Sequence, residues 1–166
     1  IDVLKLDVAA SQSWVLAVDD EGRRQRLSLR GLLGWATALE DTPEVPGFER
    51  FYLGGNEFRG FANRGVGPHI NGYPTGGEWM LAGSVEYTHP LFGDTISGVV
   101  FADIGTLGTA LGEDDAFKLR LAIGPGLRIK IPMLGEAPLA LDFGIVVADE
   151  PEDERQLFTF SLSRDF

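Results

Sequence analysis

The sequence predicts an all-β protein, and within that class an antiparallel transmembrane β-barrel of which about seven strands are present. Three observations carry the prediction. Apolar side chains recur with period two over long stretches, and helix periodicity is nearly absent. Several of these stretches hold about 9–13 alternating positions, where strands of globular proteins cluster near 5–6 and a tilted strand crossing a bilayer needs about 9–11. Short turns alternate with long polar loops, the connection pattern of outer-membrane barrels.

The first strand, roughly residues 2–10, sets Leu4, Leu6, Val8 and Ala10 against Val3, Lys5 and Asp7. Residues 11–25 interrupt the alternation and fit a wide turn or an extra hairpin through Trp14 to Val18. The second strand, roughly 26–38, sets Leu27, Leu29, Leu33 and Trp35 against Ser28, Arg30 and Gly34. The third, roughly 77–89, sets Trp79, Leu81, Val85 and Tyr87 against Glu78, Ser84, Glu86 and Thr88. The fourth, roughly 95–106, carries Ile96, Val100, Ala102 and Ile104 on one face and Ser97, Val99, Phe101 and Asp103 on the other. In the fifth, roughly 116–131, apolar residues from Phe117 to Ile131 alternate with Lys118, Arg120, Ala122, Gly124, Gly126, Arg128 and Lys130. The sixth, roughly 138–147, sets Leu139, Leu141, Phe143, Ile145 and Val147 against Ala140, Asp142 and Gly144. The last, roughly 155–166, sets Phe158, Phe160, Leu162 and Phe166 against Thr159, Ser161, Ser163 and Asp165.

The fifth strand narrows the class. Four cations on one face cannot enter a dry core, where each unpaired charge costs several kcal/mol. That face is either the solvated side of a soluble sheet or the lining of a wet lumen with the apolar side in lipid. This strand alone fits both, and strand length favours the barrel. Trp35, Trp79 and Tyr87 suit an interfacial aromatic belt. The longest apolar run is six residues, Phe143 to Ala148, far below the roughly 20 of a membrane-spanning helix. With 14 basic and 25 acidic side chains the net charge is −11, which disfavours nucleic acid as a partner. Without cysteine there is neither disulfide nor thiolate chemistry. The chain opens Ile1-Asp2-Val3, with no initiator Met and no signal-peptide pattern, and reads as a processed product or a fragment.

The turns at 90–94 and 132–137 are short, whereas 107–115 and 148–154 are longer and acidic and read as solvated surface, with divalent-cation binding a weak alternative. Residues 39–76 are different. Loops beyond about 12–15 residues in a compact domain are usually functional or disordered. This one carries Phe48, Phe51, Tyr52, Phe58 and Phe61 together with glycines at 47, 54, 55, 60, 65 and 67. Aromatic side chains need burial and glycines permit tight turns, so the loop folds back onto something. Arg59, set between Phe58 and Gly60-Phe61, then needs an acidic partner.

The stretch Phe51-Tyr52-Leu53-Gly54-Gly55-Asn56-Glu57-Phe58-Arg59-Gly60-Phe61, followed by Val66-Gly67-Pro68, resembles the loop motif of the BamA/TamA outer-membrane assembly family, F-Y-x-G-G-x-x-x-(V/I)-R-G-(F/Y) and then I-G-P. It has one residue fewer between the glycine pair and the arginine, and Phe58 stands where the family has Val or Ile. Gly77 to Pro90 resembles the following family strand and supplies Glu86. Phe101-Ala102-Asp103-Ile104-Gly105 resembles its F/W-x-D-x-G strand. Phe160 to Phe166 resembles the terminal strand that closes on an aromatic residue.

The resemblance implies the C-terminal part of a barrel of about 16 strands, preceded by POTRA domains, with residues 1–166 forming one barrel region in the bacterial outer membrane. It implies that the loop at 39–76 enters the lumen and that Arg59, with Gly60 and Phe61, is locked by Glu86 and Asp103. Strand parity points the same way, because both carboxylates fall on the polar face. It further implies a β-signal at Phe158, Phe160, Leu162 and Phe166, and a seam at which the last strand templates client strands. The partners implied are outer-membrane lipids, client β-barrel proteins and accessory lipoproteins, with no cofactor. Two other classes fit less well: a polypeptide pore of the two-partner secretion type, and a soluble β-sandwich binding module. No enzyme signature is present. His69 and His89 stand 20 residues apart without a triad or metal spacing, the glycine pairs precede no helix that would cradle phosphate, and no Gly-x-Ser-x-Gly elbow occurs.

Overall fold

The computed structural model describes residues 2–39, 42–109, 117–131 and 138–162, and every regular element among them is a β-strand. The wall is built from β1 (Val3–Val18), β2 (Arg24–Ala38), and then, beyond the long loop, further strands. The loop contains three short pieces, β3 (Gly60–Phe61), β4 (His69–Ile70) and β5 (Tyr73–Pro74). The wall resumes with β6 (Trp79–Phe92), β7 (Ile96–Gly108), β8 (Arg120–Lys130), β9 (Pro138–Phe143) and β10 (Ile145–Ala148), and after β11 (Arg155–Gln156) it ends with β12 (Phe158–Leu162). The main sheet has the order β1-β2-β6-β7-β8-β9-β12, with β10 also on β8, and every pair in it is antiparallel.

Period two decides the faces. Leu4, Leu6, Val8, Leu29, Leu33, Leu81, Val85, Val100, Ile104, Ile123, Leu127, Ile145, Phe158 and Phe160 are all exposed on one side. The opposite side holds Ser28, Ser84, Glu86, Asp103, Arg120, Arg128, Asp142, Thr159 and Ser161, all buried. An apolar face left open and a polar face covered is the reverse of a water-soluble sheet, and it is the pattern of a wall whose apolar side meets lipid.

The cover over the polar face is the long loop. Phe51, Leu53, Phe58, Phe61 and Val66 pack on Ala36, Met80, Ala82, Leu107 and Ala122. Phe58 and Phe61 stack with ring centroids 5.0 Å apart. Each buried phenylalanine contributes about 1.5–3 kcal/mol, which opposes the entropy lost in ordering so long a connection. Small residues on the wall make the approach close. A Cβ on Gly60, whose φ is +91°, would sit 2.9 Å from the Ala122 Cβ.

Several features differ from the sequence reading. The first strand does not end near residue 10. It continues to Val18, so 11–25 is neither a wide turn nor an extra hairpin. The Ser11-Gln12-Ser13 run interrupts the side-chain pattern while the ladder to Leu29, Ser28 and Arg30 carries on. A tight turn then follows, in which the Asp19 carboxylate accepts the Glu21 and Arg23 amides at 3.0 and 2.9 Å and the Arg23 Nε at 2.7 Å. The sixth strand is broken at Gly144, where the backbone of Arg59 and Gly60 comes against the wall. The last strand does not begin at 155: Arg155 and Gln156 pair with the loop strand β3, and only from Phe158 does the chain pair with β9. Trp79 has the parity of the exposed face but is buried, its ring 4.9 Å from that of Phe117 and over Gly108. The turn at 132–137, the acidic residues 113–115, and Phe166 lie outside the described residues.

Candidate functional site

The register of the wall sets polar residues in adjacent lines across it. One line runs Arg30, Ser84, Asp103, Ala122, and the next runs Ser28, Glu86, Phe101, Gly124. On β9, Asp142 faces Gly126 one step further along. Glycine and alanine at 122, 124 and 126 leave a hollow on this face, bounded by carboxylates from β6, β7 and β9.

Arg59 fills it. The residue is fully buried, as is Asp103, and Glu86 is only 3% exposed. The guanidinium donates from Nε to Asp103 Oδ2 at 2.8 Å and from Nη2 to Asp103 Oδ1 at 2.7 Å, a bidentate fork. Its Nη1 donates to Glu86 Oε2 at 2.6 Å and its Nη2 to Ser84 Oγ at 3.0 Å. The Arg59 amide adds a bond to Asp103 Oδ2 at 3.0 Å. Ser84 in turn donates to Asp103 Oδ1 at 2.6 Å. The Phe101 ring lies 3.5 Å from the guanidinium carbon, and a cation over such a face is attracted by the ring quadrupole.

A second arginine closes the cluster from the wall side. Arg128 donates from Nη2 to the same Glu86 Oε2 at 2.7 Å and from Nη1 to Asp142 Oδ1 at 2.8 Å. Asp142 Oδ2 lies 3.8 Å from Arg59 Nη1. Arg30 stands at the edge, its Nη2 donating to the Glu57 carbonyl at 2.8 Å. Planar guanidinium forks match several carboxylates at once, which an ammonium cannot do. A buried charge of either sign alone would cost several kcal/mol, and here cations and carboxylates alternate in contact. Arg59, Glu86, Asp103, Arg128 and Asp142 each lie in an ion pair.

Of the residues singled out in the sequence, Arg59, Glu86 and Asp103 are in direct contact, and Gly60 and Phe61 continue from them as β3. Phe101 is under the guanidinium, and Gly105 packs against the Leu53 side chain, 3.1 Å from where a Cβ would be. Phe158, Phe160 and Leu162 are apart from this cluster, exposed on the apolar face of β12. His69 and His89 do not meet: one ring nitrogen lies 2.8 Å from the Gly67 carbonyl, the other 3.4 Å from the Tyr87 hydroxyl.

The parity reading did not pick out Ser84, Arg128 and Asp142 as partners. Their signal was present, since all three are polar residues on the buried face of the wall: Ser84 on the strand of Glu86, Arg128 on the strand next to that of Asp103, and Asp142 one strand further on. Nor did it separate Asp153 from its neighbours. The acidic stretch 149–154 reads as solvated surface, yet the Asp153 side chain is fully buried and paired with Arg120 Nε at 2.9 Å. The cations of β8 are therefore not uniformly bathed in water: Arg120 and Arg128 are sealed in ion pairs.

The family described as "Omp85 superfamily domain" matches residues 2–166. The chain is 31% identical over 140 residues to the outer membrane protein assembly factor BamA of Nitratidesulfovibrio vulgaris, covering 80% of this chain and 17% of that protein. It therefore spans about a sixth of that relative's length. The crystal structure of BamA from Haemophilus ducreyi lacking POTRA domains 1–3 superposes with a TM-score of 0.80 at 20% identity, over 95% of this chain and 34% of that one. This second likeness shows a shared fold, with the strands here matching part of a larger chain.

Proposed function

We propose, from the premise that this chain belongs to the Omp85 superfamily, that it is the C-terminal part of an outer-membrane barrel that inserts other β-barrel proteins into the bacterial outer membrane. Its partners are then lipids of that membrane, client β-barrel proteins and accessory lipoproteins. The reading rests on one observation above all: the loop that carries Arg59 is seated by its guanidinium on carboxylates of β6 and β7 within a chain 31% identical to an assembly factor.

In this reading Arg59, Gly60, Phe61, Glu86 and Asp103 form a positioning lock, and no client bond is made or broken there. Client strands pair with an open sheet edge by main-chain hydrogen bonds, the mode of β-augmentation. Phe158, Phe160, Leu162 and Phe166 serve as the assembly signal of the chain's own last strand. The exposure of the first three on one face supports this, because a lipid-facing row is what such a signal must present.

The test is insertion of an unfolded β-barrel client by the full-length protein in liposomes, run alongside single-channel recording. Accelerated folding of the client, lost when the lock is broken, supports the assembly factor. Steady conductance with transport of a secreted polypeptide and no client folding would replace it with a secretion pore. A detergent-free, monodisperse monomer would replace it with a soluble binding module.

A further inference from the structure

Residues 149–157 leave the wall after β10 and return to it at β12. Between those points they bind the long loop. Glu154 donates its amide to the Gly65 carbonyl at 2.8 Å and accepts the Ala62 amide at 2.8 Å. Arg155 and Gln156 continue the exchange as β11, opposite Phe61 and Gly60. Asp153 anchors the segment. Its Oδ2 accepts Arg120 Nε at 2.9 Å and the Glu150 amide at 2.8 Å. Its Oδ1 accepts Arg120 Nη2 at 3.1 Å and the Gly67 amide at 3.0 Å. One buried carboxylate thus joins the wall strand β8, its own segment and the loop.

The connection to the terminal strand has no slack. Only Leu157 separates β11 from β12, and its carbonyl accepts the Gly144 amide at 2.8 Å. Two Cα steps span at most about 7 Å. The start of β12 therefore stays within that distance of Gln156 while Gln156 is paired with Gly60, the residue after Arg59.

We infer that residues 149–157 are a strap that couples the seating of the Arg59 loop to the attachment of the terminal strand, with Asp153 as its positioning residue. Unseating the loop loosens β12, and detaching β12 loosens the loop, because a coupling free energy acts equally in both directions. Asp153 thereby provides an attachment of the loop distinct from Arg59, on different strands and through a different cation.

The experiment is peptide-resolved hydrogen exchange on the full-length protein in lipid nanodiscs, which requires no client and so stands or falls apart from the assembly reading. Asp153→Asn removes charge from four hydrogen bonds. It is expected to speed exchange about ten- to hundredfold both in 60–67 and in Phe158–Leu162. Arg59→Lys is expected to speed exchange in 153–156 and in Phe158–Leu162, which lie beyond its direct contacts. A third variant inserts three glycines between Leu157 and Phe158, adding slack with every contact residue kept. On that background Asp153→Asn and Arg59→Lys no longer change β12. Faster exchange confined to 149–157 in Asp153→Asn, or an unaltered β12 in Arg59→Lys, overturns the coupling. So does a glycine insertion that leaves the response of β12 intact.

Discussion

Replacing Arg59 by lysine separates charge from shape. The side chain donates four hydrogen bonds, two to Asp103, one to Glu86 and one to Ser84. A lysine ammonium keeps the charge but cannot span the Asp103 fork while also reaching Glu86. Two charge-assisted bonds are lost, at about 1.5–3 kcal/mol each, and relaxation of the cluster leaves a cost of about 2–4 kcal/mol. Arg59→Ala removes the cation as well and leaves buried carboxylates short of a partner, a cost of about 3–5 kcal/mol. At about 1.4 kcal/mol per tenfold, the lysine variant is expected to open the loop roughly 30- to 700-fold more often. Hydrogen exchange of the backbone around 60–62 in the folded barrel reads that ratio directly. A lysine variant whose loop exchanges within about threefold of the parent would refute the argument from fork geometry.

Two further outcomes follow from the local geometry. Gly60→Ala places a Cβ 2.9 Å from Ala122 at a φ of +91°, and an overpacked contact costs about 1–3 kcal/mol before the backbone strain is added. Gly22→Ala, with φ of +79° and nothing within 4 Å, bears the strain alone, so urea midpoints must rank Gly60→Ala below Gly22→Ala. In the strap, the Arg155 side-chain hydrogen bond holds the Asp149 carboxyl below its ordinary value of 3.8. A depressed carboxylate stabilises above its ordinary value and loses that contribution as pH falls through the lower folded value. Its NMR titration midpoint is therefore expected below 3.8 and to rise toward it in Arg155→Ala.

The wall was readable because lipid and polar interior impose strict alternation, so parity alone assigned faces to residues such as Leu81, Glu86, Asp103 and Ile104. Arg59 drew attention because an arginine set between aromatics and glycines needs an acidic partner, and the family resemblance pointed to Glu86 and Asp103. What escaped has equally physical causes. Ser11 to Ser13 hid the length of β1, since ladder hydrogen bonds do not depend on side-chain type. The break at Gly144 is set by a backbone approach from a segment more than 80 residues earlier. Asp153 sits among five other residues of an acidic run, and nothing in a one-dimensional pattern distinguishes the buried carboxylate from the hydrated ones.

The Arg59 cluster draws its members from β6, β7, β8 and β9, each held at a particular rung of its neighbour. Sliding any of these strands by one residue would turn its charged member toward lipid and an aliphatic side chain toward the arginine. The cluster is thus complete only in this register of the wall. A chain that has zipped up one step out of phase cannot complete it, so the misaligned barrel is penalised by stranded ions as well as by misplaced hydrocarbon.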